Sequence, residues 1–366
     1  MNAGTPTVIV PRRAPNPLTA GGWSGLSFVA ANILNTLIYF PLARRLGPEE
    51  FGLYAQANLL YGALTLLAEG SVIRTLVQMR GERATLSRGG LWLSAALGLA
   101  GLVICAAAAP LMVRLYNNPD VRPLLLWLAP SVLIAALGAT PHALLQRELD
   151  FRRKTLPETL AIGAGGMAAL GAAFAGLGAY SLVALTMTAA SVSTVTAWWV
   201  CRERPTPAPP GWPLLRRMAR FTGSLGAADL ALYLRLNTDY ALTGRILGAA
   251  PLGIYTVAWA TSAGPLLFIT AFTGRVGFAV YARLQGEGER LREVFLSALR
   301  IVATAAVPVF LGAVVIAPDL VPVALGSRWE AAAGPVVPLF LLQMVRTVCG
   351  PGALADPGDR AQPRCT

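Results

Sequence analysis

The sequence predicts an all-α integral membrane protein of about ten transmembrane helices, arranged in two lobes related by a parallel pseudo-repeat, six helices plus an incomplete second six. Three observations predict it. Charge is scarce: among 366 residues only 13 % are Asp, Glu, Lys or Arg, while 55 % are apolar. A soluble domain carries about 25 % charge, so this chain could not cover a water-facing surface of its size. The apolar residues fall in runs long enough to cross a bilayer, and a motif early in the chain returns 201 residues later in the same setting.

A span needs about 20 apolar residues, since the hydrocarbon core is about 30 Å thick and a helix rises about 1.5 Å per residue. Ten segments meet this: 21–42, 51–73, 89–113, 121–144, 157–177 and 180–200, then 221–243, 252–272, 297–317 and 331–348. The fifth and sixth are separated only by Gly178 and Ala179, which predicts a tight antiparallel hairpin. The segment 281–299 places Leu284, Leu291 and Val294 among Arg283, Arg290 and Arg292, the pattern of an amphipathic surface helix. Around the spans lie an N-terminal tail 1–20, a first lobe 21–200, a Pro- and Arg-rich linker 201–220, a second lobe 221–348 of four helices and an irregular tail 349–366. A matching second lobe needs two more spans, so the chain reads as C-terminally truncated.

Basic residues set the orientation. About twenty of the thirty lie in the N-terminal tail and in the loops 74–88, 146–158, 201–220 and 273–300; about six lie in the loops on the opposite side. Loops rich in Lys and Arg stay in the cytoplasm, which places the N-terminus there and the chain in a bacterial cytoplasmic membrane. The basic excess does not predict nucleic-acid binding, because the arginines fall between apolar runs instead of sharing one face with aromatics. Trp127, Trp198, Trp199, Trp212 and Trp329 sit near span ends and read as interfacial anchors. Cys105, Cys201, Cys349 and Cys365 are far apart and His142 is the single histidine. Neither a metal site nor a disulfide framework follows, and no cofactor is expected.

The repeat pairs Gly47, Gly52 and Tyr54 with Gly248, Gly253 and Tyr255. Six helices separate the copies, an even number, so both halves have the same topology and an axis along the membrane normal relates them.

The pattern Ala43-Arg44-Arg45-Leu46-Gly47-Pro48-Glu49-Glu50-Phe51-Gly52-Leu53-Tyr54, with Gln146 to Arg152 after the fourth span and Asn237-Thr238-Asp239-Tyr240 before Gly244 to Gly248, resembles the Wzx-like polysaccharide exporters. These are lipid-linked oligosaccharide flippases of the multidrug/oligosaccharidyl-lipid/polysaccharide superfamily. The resemblance covers residues 20 to 348. It implies two six-helix lobes around a central cavity, and as substrate an oligosaccharide on undecaprenyl pyrophosphate. The family has twelve or more spans, and the ten here depart from that.

Moving a sugar and a pyrophosphate through an apolar slab needs polar residues inside spans, each costly there and therefore a site candidate. The seventh span carries Asp229, Arg235, Asn237 and Asp239. Arg235 and Asp239 are four apart and share a face, so they can pair, and the Arg235 guanidinium matches phosphate oxygens. Asn32 and Asn35 line one face of the first span as candidates for sugar hydroxyls. Glu69 and Asp229 are candidates for coupling to H⁺ or Na⁺. The sequence carries no nucleotide-binding or catalytic motif, and its outer loops are too short for an enzyme's acids and bases, so no enzyme is expected. Two other readings remain: a multidrug cation antiporter of the same superfamily, and an inactive truncated flippase.

Overall fold

In the computed structural model, residues 17–148, 151–202, 208–264 and 288–355 are described. They are helical almost throughout, and among them no strand occurs. The helices are α1 (Pro17–Arg45), α2 (Pro48–Gln78), α3 (Arg83–Ala107), the short α4 (Ala109–Tyr116), α5 (Val121–Arg147), α6 (Phe151–Phe174) and α7 (Tyr180–Val200). The second lobe holds α8 (Trp212–Ile246), α9 (249–264), α10 (Gly288–Leu325), a 3₁₀ turn (Ser327–Ala332) and α11 (Ala333–Ala355). Six segments among the described residues are long and apolar enough to cross a membrane: α2, α3, α5, α7, and the stretches Leu299–Leu325 and Ser327–Val348. Large apolar side chains on their outer surfaces stand exposed, among them Val195, Val315 and Val323. Lipid accepts such a surface where water would not.

Local chemistry sets the helix ends. The Gly47 N–H donates to Glu50 Oε2 at 2.8 Å, and Pro48 with Glu49 and Glu50 fills the first turn of α2. Proline's fixed φ and acidic side chains both suit a helix start. One π-turn, Leu66–Gly70, interrupts α2 and carries Glu69. The hairpin between α6 and α7 turns through Gly176 and Gly178, both at positive φ, as expected of so short a connection. These two helices form the most extensive helix pair of the fold.

Several boundaries depart from expectation. The linker 201–220 is already helical from Trp212, because Pro213 sits in the first turn of α8, where its missing N–H costs nothing. The expected surface helix and ninth span are one helix from Gly288, since no breaker separates the amphipathic stretch from the apolar one. α11 runs through the start of the expected irregular tail, to Ala355. The first sixteen residues, 149–150 within the motif Gln146 to Arg152, 203–207, the stretch 265–287 and 356–366 lie outside the described residues. Trp329 is no interfacial anchor. It is fully buried, donates from Nε1 to the Ala43 carbonyl at 2.7 Å, and packs edge-on against Phe51.

The core forms three clusters. One fills the first lobe around Leu124, Leu125 and Leu128. Another joins Val72, Leu76 and Leu86 to Met218 of α8. The third bridges the lobes, with Leu42 and Phe51 against Val257, Phe310, Trp329 and Phe340.

Candidate functional site

The lobes meet along a seam between α2 and α8. The residues α8 turns to α2 recur at helical spacing: Met218, Thr222, Gly226, Asp229 and Tyr233. Thr75 and Thr222 share a hydrogen bond of 2.8 Å. Asp229 Oδ1 accepts from Arg74 Nη1 in an ion pair, and Asp229 Oδ2 is buried without a partner. Gly226 packs against Ser71 and Leu67. The Tyr233 hydroxyl donates to the Leu59 carbonyl at 3.0 Å, over Gly62. Gln56 Nε2 donates to the Gly244 carbonyl at 3.3 Å. The seam is thus polar along its length, with small residues at the close approaches. A contact of that kind can part and re-form, since water can take over each polar group as it opens.

At one end the seam is shut by the repeat itself. Gly52 faces the Ala249 carbonyl, and Gly253 faces the Pro48 carbonyl. A Cβ on Gly52 would lie 1.7 Å from Ala249 O, and one on Gly253 1.8 Å from Pro48 O. Gly253 and Ala249 are the 201-residue counterparts of Gly52 and Pro48, so the first turns of α2 and α9 press together about the repeat axis. Arg44 reinforces the closure from α1 by donating to the Val323 and Ala324 carbonyls of α10. Just below lie four tyrosines that are also repeat counterparts, Tyr39 with Tyr240 and Tyr54 with Tyr255. Tyr240 and Tyr255 stack edge-on at 5.2 Å, Tyr54 shares a hydrogen bond with Thr186, and the Tyr39 hydroxyl is buried without a partner.

The other end opens into a cavity of about 1030 Å³ between the end of α2 and the start of α8, lined by Arg80, Arg216, Arg217 and Arg220. The acidic side chains Glu49, Glu50 and Asp120 gather at the opposite, closed end. The open end thus gathers four arginines around one cavity.

The predicted site residues separate. Asp229 lies in the seam. Arg235 falls on the far side of α8, exposed, and forms no ion pair among the described residues. Asp239 does not pair with it; it accepts a 2.5 Å hydrogen bond from Tyr255 of α9. The Asn237 side chain donates to the Tyr233 carbonyl of its own helix. Asn32 is half-buried and Asn35 exposed on α1. Glu69 is half-buried in the π-turn, a device often found at functional sites. His142 is satisfied by Ser193 at 3.0 Å. Sequence reasoning missed Arg74, which reads as one more loop arginine. Nothing in the sequence separated it from the other loop arginines; only the packing of α8 against α2 sets it opposite Asp229.

Two lobes of membrane helices, meeting about a repeat axis on a polar seam closed at one end, define a multi-pass transporter fold. The chain belongs to the polysaccharide biosynthesis protein family, whose profile matches residues 41–334. It is 26 % identical over 339 residues to the lipopolysaccharide biosynthesis protein WzxC of Escherichia coli (strain K12), covering 91 % of this chain and 68 % of that protein. It is 24 % identical over 323 residues to the succinoglycan biosynthesis transport protein ExoT of Rhizobium meliloti (strain 1021), covering 88 % of this chain and 65 % of that one. The chain thus spans about two thirds of the length of these relatives. Its fold matches an inward-facing multidrug resistance MATE family transporter of the MOP superfamily, with TM-score 0.64 and 15 % identity over 91 % of this chain and 85 % of that one. It also matches the lipid II flippase MurJ in an inward closed conformation, with TM-score 0.62 and 10 % identity over 92 % and 76 %.

Proposed function

We propose that this protein translocates an oligosaccharide linked to undecaprenyl pyrophosphate across the bacterial cytoplasmic membrane, for polysaccharide biosynthesis. The observation that carries the reading is the asymmetric seam, sealed by glycines about the repeat axis at one end and open to an arginine-lined cavity at the other. That geometry suits alternating access, in which the lobes rock so that the path opens to one face at a time. Relatives named for polysaccharide biosynthesis and transport supply the substrate class. The basic open end faces the cytoplasm in this reading, together with the N-terminus, as the distribution of arginine supports. In the shut seam Asp229 holds Arg74; as the lobes part, the freed guanidinium meets the pyrophosphate and the seam's hydroxyls and amides meet the sugar. Asp229 and Glu69 are the candidate carboxylates for coupling movement to a cation in this reading. The antiporter alternative needs a site centred on carboxylates, whereas the open end holds an excess of arginine.

Expression in a strain lacking its own exporter tests the proposal. Restored surface polysaccharide, with the lipid-linked precursor no longer accumulating inside, is the expected result. Unchanged accumulation by a chain that reaches the membrane intact would refute it.

A further inference from the structure

One turn of α2 is wound differently from the rest, and it divides the contacts of the seam. Across the π-turn Leu66–Gly70, the Ser71 N–H reaches back five residues to the Leu66 carbonyl. The Ser71 hydroxyl shares that carbonyl at 3.3 Å. Before the turn, α2 meets the second lobe at Gly52 with Ala249, Gln56 with Gly244, and Leu59 with Tyr233. After it come Ser71 beside Gly226, the Arg74–Asp229 pair, and Thr75 with Thr222. Gly62 and Leu67 both lie against α8, at Tyr233 and Gly226, although they are five residues apart. In an uninterrupted α-helix, five residues turn about 500°, which would set the two about 140° apart around the axis. The wider π-turn takes up the extra residue and keeps both halves of α2 on α8.

The same extra residue lets the winding change. If Leu66–Gly70 takes α winding while the first half of α2 stays in place, the segment from Ser71 to Gln78 turns by up to about 100°. Arg74 and Thr75 then leave Asp229 and Thr222, while Gly52, Gln56 and Leu59 keep their partners. The parted groups have other partners to hand. The Arg74 side chain is already 45 % exposed, so water can receive it. The Thr75 hydroxyl donates to the Ser71 carbonyl of its own helix at 2.8 Å. Gly226, with no side chain, leaves room for the turn to move. A rigid α2 would have to part from α8 as one body, and opening the cavity end would strain the glycine contact at the other. We infer that this π-turn is the hinge of the inner half of the seam: its conversion to α winding releases Ser71 to Gln78 from α8 while the glycine contact stays shut. That the opened half serves transport rests on the flippase reading; the movement itself does not.

Deletion of Gly70 tests the hinge, because it removes the extra residue without removing a side chain. Leu66, four residues after Gly62, then takes the place of Leu67 opposite Gly226, and Ser71, Arg74 and Thr75 keep their faces. The deletion is made in the full chain with its four cysteines replaced by serine, purified into phosphatidylcholine nanodiscs. With Thr75→Cys/Thr222→Cys, the disulfide should form at least as fast as without the deletion, which reports a folded, shut seam. Thr222→Cys alone should react with a maleimide several-fold more slowly than in the undeleted chain, because the inner half no longer swings free. Ser224→Cys, exposed at the cavity, should react equally in both. Ser71→Ala keeps the length but removes the hydroxyl that holds the Leu66 carbonyl in the π winding, so it should raise Thr222→Cys labelling. Labelling of Thr222→Cys left unchanged by the deletion, with the disulfide intact, would overturn the hinge. If the deletion abolishes the disulfide, Ser71→Ala decides: a rise in labelling supports the hinge, and labelling equal to the parent's overturns it. Neither readout uses export, so a chain that opens in this way yet fails to restore surface polysaccharide would count against the flippase reading alone.

Discussion

Gly52→Ala is a one-methyl substitution whose local and tertiary effects have opposite signs. Within α2, alanine is the better helix former, by about 0.5–1 kcal/mol. Judged by propensity, the variant should be at least as stable as the parent. At the contact, the new Cβ meets Ala249 O at 1.7 Å, while ordinary contact begins at 3.4 Å. The obstacle is a backbone carbonyl in the first turn of another helix, so no rotamer change relieves it. The first turns of α2 and α9 must separate by well over 1 Å. Overpacking of this kind costs about 1–3 kcal/mol, sometimes more. Because the open state does not share the contact, the whole penalty falls on the closed state and shifts the closed-to-open ratio by roughly 5- to 150-fold. The assay is labelling of Tyr255→Cys, just beneath the contact, by a membrane-impermeant maleimide added outside cells that carry no other cysteine in this chain. Labelling should rise several-fold in Gly52→Ala and in Gly253→Ala, while transport falls. Two controls bracket the reasoning. Gly171→Ala meets nothing within 4 Å and should show only the propensity gain. Gly62→Ala meets the tip of the Tyr233 side chain, which can swing aside, and should have a small effect. Labelling unchanged in both Gly52→Ala and Gly253→Ala, with transport intact, would refute the idea that these glycines seal the outer end.

Other outcomes follow from the same geometry. Thr75→Cys with Thr222→Cys should form a disulfide readily while the seam is shut, and adding Asp229→Asn should slow it several-fold, since the Arg74 pair that holds the helices together is gone; an unchanged rate would show that the pair does not stabilise the seam. Arg74→Gln should reduce polysaccharide export more than Arg235→Gln does, because Arg74 lies at the seam and Arg235 faces away from it; the reverse order would restore Arg235 as the phosphate ligand expected from sequence. Trp329→Phe keeps an aromatic side chain but leaves the buried Ala43 carbonyl without its donor, at a cost of about 1–3 kcal/mol, to be read as a lower unfolding midpoint in detergent; a midpoint equal to the parent's would mean that another group satisfies that carbonyl.

Composition and periodicity decided the environment and class of this protein. A chain with so little charge and so many long apolar runs has only lipid to face, because within a bilayer every backbone group must be satisfied inside its own helix. The 201-residue repeat, legible in Gly47, Gly52 and Tyr54, already stated that two halves share one topology. It could not say that the copies press on each other, since a sequence offset carries no distance. Tertiary structure alone decided which face of each helix meets the other lobe. Asp229 and Arg235 are six residues apart, some 240° around α8, and both look equally costly in a membrane; packing against α2 takes Asp229 into the seam and leaves Arg235 outside. Likewise Trp329 looks interfacial in a list of residues near span ends, and only the fold of α10 and the 3₁₀ turn over α1 buries it against Ala43. A helix's apolar character is local and can be read residue by residue. Its rotation about its own axis is fixed by neighbours dozens or hundreds of residues away, and that rotation selects the polar groups a substrate can reach.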